Sequence, residues 1–217
     1  MKNLVIMSAM ALMAINANAE KVKFEISGVV ADSIKEVVVI VNNDKNSSQK
    51  VTVANGRFNA VGEAEKNDLL NVGHEINRGF NSLVAINDGQ PIKMNFVENT
   101  VSGSSENSAL GNQIKANAAD EGRMAVLVKE YRELSKQNTA EADARIKEIM
   151  AEANAIEEKN MKASLEYIKA HKGDVTPVAF IQNVMYELSY NELAEIINPD
   201  VAYFNHPMVA KAKRIMD

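Results

Sequence analysis

Polar and apolar residues alternate along the first half of the chain and recur at helical spacing along the second. Val22, Phe24 and Ile26 alternate with Lys23, Glu25 and Ser27, which puts one face of a strand in a core. Glu36 to Val41 is a nearly continuous apolar run, predicted as a strand that is central or buried on both faces. Val51 and Val53 alternate up to Asn55-Gly56, and Arg57 to Val61 follows. Asn-Gly between two such runs predicts a hairpin, because both central residues of a type I′ turn need positive φ. Leu69 to Val72, Leu83 to Ile86, and Ile92 with Met94 and Phe96 complete about seven short strands. That pattern predicts an antiparallel β-sandwich or a partly open barrel.

The period changes near residue 122. Nine of the ten glycines lie at or before Gly122, and the chain from Arg123 to His171 is rich in Ala, Glu, Lys, Met and Leu. A helix is predicted to start near Glu106, after Ser102-Gly103-Ser104-Ser105, to break at Gly122, and to continue through Leu127, Tyr131 and Leu134. The next runs from about Ala140 to Ala170. Its apolar stripe holds Ile146, Ile149, Met150, Ala153, Ile156, Met161, Leu165 and Ile168, with Glu148, Glu152, Glu158, Lys159 and Lys162 opposite. A helix of that length spans about 45 Å. Part of the stripe must therefore meet other helices or a second protein. Thr176-Pro177 reads as an N-cap with proline at the first helical position, and Ser189 with Glu192 as a capping box. Asn198-Pro199 ends that helix and His206-Pro207 opens the last one. The expected fold class is α+β, with a β domain over 20–103 and a helical domain over 104–217.

The N-terminus adds a compartment. Lys2, the apolar stretch from Leu4 to Ile15 and Ala17-Asn18-Ala19 read as a secretory signal over 1–19, cleaved after Ala19. Cleavage leaves 198 of the 217 residues, and loss of Lys2 takes the net charge from −5 to −6. An acidic product disfavours nucleic acid and anionic membranes as partners. The chain has no cysteine, so it carries no disulfide, no thiol nucleophile and no lipid attached through an N-terminal cysteine. The expected location is the periplasm or the cell exterior, with no stable membrane anchor. With no tryptophan, the core must be filled by aliphatic residues and methionine.

Candidate chemistry is sparse. His74, His171 and His206 are spread out. His74-Glu75 begins like a zinc-protease helix, but Arg78 stands where the second histidine is required. His171 falls at a helix C-terminus, where the dipole favours a cation, and His206 at a turn or cap. The serines at 102, 104 and 105 have no G-x-S-x-G frame and read as a linker and cap. No phosphate-binding glycine motif is present, and no acid pair sits in an apolar setting. No catalytic, cofactor-binding or metal-ligating residue is assigned. Of the 25 asparagines, Asn42, Asn43, Asn46 and Asn55 read as turn residues. The β part lacks Trp and Tyr for stacking, which disfavours a carbohydrate site there.

Several motifs resemble one family in order. Phe24-Glu25-Ile26-Ser27-Gly28 is similar to its opening strand, and Val53-Ala54-Asn55-Gly56-Arg57-Phe58 with Gly62 to its Asn-Gly-x-Phe hairpin. Leu83 to Ile92 with Gly89, then Val101-Ser102-Gly103-Ser104 with Asn107, match its later strands and its entry to the helices. Ser189 to Leu193, Pro199 and His206-Pro207-Met208-Val209 match its last helical segment. The chain thus resembles the Bacteroidetes domain of unknown function that precedes TlpA/ResA-like thioredoxin domains in exported thiol–disulfide oxidoreductases. Members of the family often carry an acidic residue and glycine together before the sixth turn, where this chain reads Asn87-Asp88-Gly89. The thioredoxin domain and its Cys-x-x-Cys are missing. The resemblance implies a recognition half whose redox half is lost or separately encoded. It brings no catalytic residues.

Three functions are therefore expected, in descending order. The first is a non-enzymatic exported binding module, with a possible protein partner at the helical region. The second is an accessory partner of an envelope thiol–disulfide oxidoreductase. The third is a hydrolase at the β/α junction around His74, Arg78 and Glu106.

Overall fold

The computed structural model describes residues 20–76 and 79–217. Eight strands come first: β1 (Lys21–Val29), β2 (Glu36–Val41), β3 (Gln49–Thr52), β4 (Arg57–Glu65), β5 (Leu69–Ile76), β6 (Gly79–Ile86), β7 (Ile92–Asn95) and β8 (Thr100–Ser102). Helices follow: α1 (Ser105–Leu134), α2 (Ala140–Ala170), α3 (Val178–Val184), α4 (Tyr190–Ile196) and α5 (Ala210–Met216). The protein is α+β, as its change of period predicts. The expected signal and its cleavage site lie outside the described residues, as does Arg78.

The strands form two four-stranded sheets, ordered β4-β1-β7-β8 and β3-β2-β5-β6, and neither closes into a barrel. Both are rich in antiparallel pairs, but β1 and β7 run parallel, with Ile26 opposite Ile92. The wholly antiparallel expectation is corrected there. Parallel neighbours need a long crossover, and here the whole of the second sheet lies between β1 and β7 in the chain. As its apolar run predicts, β2 is central, between β3 and β5.

The Asn-Gly turn forms, but the hairpin does not extend. Asn55 and Gly56 have φ of 52° and 68°, and Ala54 and Arg57 exchange backbone hydrogen bonds of 2.9 and 3.0 Å. Beyond that bridge the strands part, β3 pairing with β2 and β4 with β1. The register of β1 against β4 explains two aromatic–glycine spacings. Phe24 lies opposite Gly62 and Phe58 opposite Gly28. A Cβ on Gly62 or Gly28 would come within 2.3 or 2.1 Å of the facing ring. Each glycine is therefore the slot that lets a phenylalanine lie flat on the sheet.

Helices α1 and α2 run antiparallel as a long hairpin. Arg123 meets Glu152 at 2.6 Å, Arg145 meets Glu130 at 2.7 Å and Lys159 meets Asp120 at 2.6 Å. Ser104 caps α1 by accepting from the Asn107 N–H, and Thr139 caps α2 through the Ala142 N–H. The predicted break at Gly122 does not occur, and α1 passes through it unbroken. One glycine costs only about 1 kcal/mol against alanine, too little to stop a helix held by a neighbour. The Ser189–Glu192 capping box is present on α4.

Two buried clusters hold the molecule. One gathers apolar residues from all eight strands, among them Ile26, Val39, Leu70 and Met94. The other lies under the base of the hairpin and α3 to α5, around Ile168, Val178, Ile181 and Leu193. Leu69 and Ile86, from β5 and β6, belong to the helical cluster, and the half-buried Ile114 packs against both. No helix among the described residues is long and apolar enough to cross a membrane.

Candidate functional site

The histidines and carboxylates singled out by sequence do not assemble. His74 lies in β5, 6% exposed, with its ring 5.4 Å from Phe96. It stands opposite Asn81, while Leu69 stands opposite Ile86, next to the start of α1. Five residues of strand, about 17 Å, separate His74 from the end where Glu106 sits. Among the described residues no group of three or more His, Asp or Glu side chains is placed to hold a metal ion.

The other two histidines are structural. His171 caps the C-terminus of α2, stacks on Tyr167 at 4.1 Å, and donates from Nδ1 to Asp174 at 2.9 Å. The Thr176 hydroxyl also donates to Asp174 and accepts from the Tyr167 hydroxyl. Thr176 therefore does not cap α3 as its position before Pro177 predicts. Asp174 binds its N–H at 3.0 Å and its hydroxyl, and no side-chain bond caps α3. Thr176 is fully buried and gives no accessible nucleophile. His206 accepts from the Met208 N–H through Nδ1 and donates from Nε2 to the Asn67 carbonyl, tying the C-terminal helices to the turn before β5. Glu106, in the first turn of α1, has its pKa raised by burial, then by Asp174 and Asp88.

The concave site lies elsewhere. A groove of about 760 Å³ runs between α1, α2 and the α3 region. Its apolar floor comes from Ile114, Met124, Met161 and Phe180. Ile114, Met124 and Met161 are half-buried, and Ile114 and Met161 pack against the helical cluster. Four side-chain amides line it, Asn117, Asn154, Asn160 and Asn183, together with four carboxylates, Glu121, Glu157, Glu158 and Glu187. No lysine or arginine is among the lining residues. None of the four carboxylates enters an ion pair among the described residues. Burial of its carboxyl end pushes the Glu121 pKa up, although the residue as a whole is exposed. The Asn160 Oδ1 is shut off from solvent with no hydrogen-bond donor. Such an orphan costs roughly 1–3 kcal/mol.

Sequence reasoning passed over this groove. The apolar stripe of α2 is legible in the sequence, but the amides beside it do not stand out among the 25 asparagines. The available signal was Asn117, Asn154 and Asn160 inside helices, where asparagine is a poor former and three of them need a reason. Comparison with known proteins finds no matching family model, curated protein or solved structure. The site is therefore defined by its own geometry.

Proposed function

We propose that this chain is an exported binding module with no catalysis of its own, and that the groove between α1, α2 and α3 is its ligand site. The observation that carries the reading is an apolar floor ringed by four unpaired carboxylates and four amides in one concavity of about 760 Å³. That volume falls in the range of small-ligand sites, roughly 300–1,000 Å³. Its lining is suited to hold and orient a ligand, since it offers acceptors and amides but no nucleophile paired with a base. In this reading the two sheets face each other as a sandwich around the shared strand cluster. That makes a rigid platform for the base of the hairpin. The mature protein works in the periplasm or outside the cell.

A second reading has the hairpin docking on an envelope thiol–disulfide oxidoreductase. It is favoured by exposed apolar side chains along the outer part of the hairpin, Val126 at 53%, Tyr131 at 43% and Met150 at 54%. Site-specific photo-crosslinking in the envelope separates the two. A crosslinker at Met124 should capture the ligand in the groove, and one at Met150 should capture little. Capture of a thioredoxin-like protein at Met150 alone would reverse the order. Turnover of ester, phosphate or glycoside substrates by the purified mature protein would contradict both.

A further inference from the structure

The groove's lining is selective in charge and in shape of hydrogen bonding. Glu121 stands on α1, Glu157 and Glu158 on α2 and Glu187 just past α3, so each element that lines the groove contributes negative charge. Four carboxylates with no lysine or arginine among them favour a ligand with more than one positive charge. The apolar floor requires that ligand to carry aliphatic surface as well.

The amides narrow the chemistry further. A side-chain amide offers a donor and an acceptor side by side, the complement of a peptide group. The molecule already uses this pairing within itself. Asn107 accepts from the Ile86 N–H at 2.8 Å and donates to the Ile86 carbonyl at 2.9 Å. Asn42 likewise accepts from the Leu69 N–H at 2.9 Å. Four such amides along one groove match the backbone of an extended peptide.

Resting on the reading of the groove as a ligand site, we infer that its occupant is an extended peptide segment of another protein, with lysine or arginine alternating with aliphatic residues. Its cations would meet the four glutamates, its aliphatic side chains the Met124–Met161–Phe180 floor, and its backbone the asparagine amides.

The test is a titration of the mature protein against a fluorescent Lys-Leu-Lys-Leu-Lys peptide, its Glu-for-Lys counterpart, and spermidine as competitor. The basic peptide should bind, and its affinity should fall with salt. The exposed double substitution Glu121→Gln/Glu187→Gln should weaken it by about tenfold, as loss of paired charges does. Asn183→Ala should weaken the peptide and leave spermidine unchanged. Equal binding of the acidic peptide, or no binding of either, would overturn the inference. So would spermidine competing as well as the peptide, which would reduce the site to a bare cation trap. Concentration-dependent self-association abolished by Lys211→Glu would put a second copy's basic C-terminal helix in the groove and also overturn it. If the Met124 crosslinker captures a ligand while these titrations stay flat, the binding-module reading stands and the peptide inference alone fails.

Discussion

The Asn107 side chain pairs with both backbone groups of Ile86, accepting from its N–H at 2.8 Å and donating to its carbonyl at 2.9 Å. Asn107 is fully buried in the first turn of α1, and Ile86 ends β6. One side chain thus replaces the strand that β6 lacks on that side and fixes where the helical region joins the sheet. Asn107→Ala removes both bonds and leaves the buried Ile86 N–H without a partner, while the Ile86 carbonyl keeps the Asp88 N–H at 3.1 Å. The expected loss is about 1–3 kcal/mol, the cost of the one stranded group. Urea unfolding measures it, and a loss under about 0.5 kcal/mol would show that water replaces the amide.

Two glycines of α1 should respond to alanine in opposite directions. A Cβ on Gly111 would lie 1.9 Å from the Val101 carbonyl oxygen, backbone of β8 that has no room to move aside. A Cβ on Gly122 meets nothing within 4 Å. Gly111→Ala should therefore cost at least about 1–3 kcal/mol by forcing the helix off β8. Gly122→Ala should raise stability by up to about 1 kcal/mol through helix propensity. Thermal midpoints of the two variants measured side by side check the pair. A stable Gly111→Ala protein would mean that the helix does not dock on β8.

These contrasts show what local pattern reveals and what it hides. The period-2 and period-3.6 runs report burial of one face, so β1, β2 and the long helices were legible. The Asn55-Gly56 turn was legible too, because positive φ at two successive residues is a local demand. Where β3 and β4 went after that turn was not, since pairing depends on strands far away in the chain. The three-residue β8 is too short to show a period. Gly122 misled because a glycine's cost is local while the force that overrides it, packing against α2, is not. The groove was hidden for the same reason. Its glutamates look like a solvated face until α3 is brought beside the long helices.

His206 should make stability depend on pH. Its Nδ1 accepts from the Met208 N–H and its Nε2 donates to the Asn67 carbonyl, so the ring is held neutral. Burial holds its pKa below the ordinary imidazole value, against upward pulls from the Asn67 carbonyl and Asp68. The unfolded chain then takes up a proton at a higher pH than the folded chain does. Between those two values the unfolded state binds more protons, so stability rises with pH. It is lost as the pH falls from about 6.5 towards the lowered folded value. His206→Asn keeps an acceptor for Met208 but does not titrate. Denaturant midpoints from pH 7.5 to 5.5 should slope less in the variant than in the parent. Identical slopes would assign the pH response to other groups.

Glu106 sets two electrostatic effects against each other. It stands in the first turn of α1, where the helix dipole favours a negative charge by about 0.3–1 kcal/mol. Burial and the carboxylates of Asp174 and Asp88 disfavour that charge, with Lys66 a partial offset, and the net shift is upward. The folded state therefore holds this proton to a higher pH than the unfolded state. Stability falls as the pH rises through the carboxylate range and stays reduced once both states are ionised. Glu106→Gln removes the charge and should raise stability at pH 7. Solvent screening at this half-buried site keeps the gain below about 1 kcal/mol. The gain should shrink as the pH falls through the carboxylate range and vanish near pH 3, below the ordinary Glu value of about 4.3, where the side chain is protonated folded and unfolded alike. Unfolding curves of parent and variant at both pH values decide the matter. A variant less stable than the parent at pH 7 would show that the dipole outweighs the acidic neighbours, and that the junction tolerates a third carboxylate.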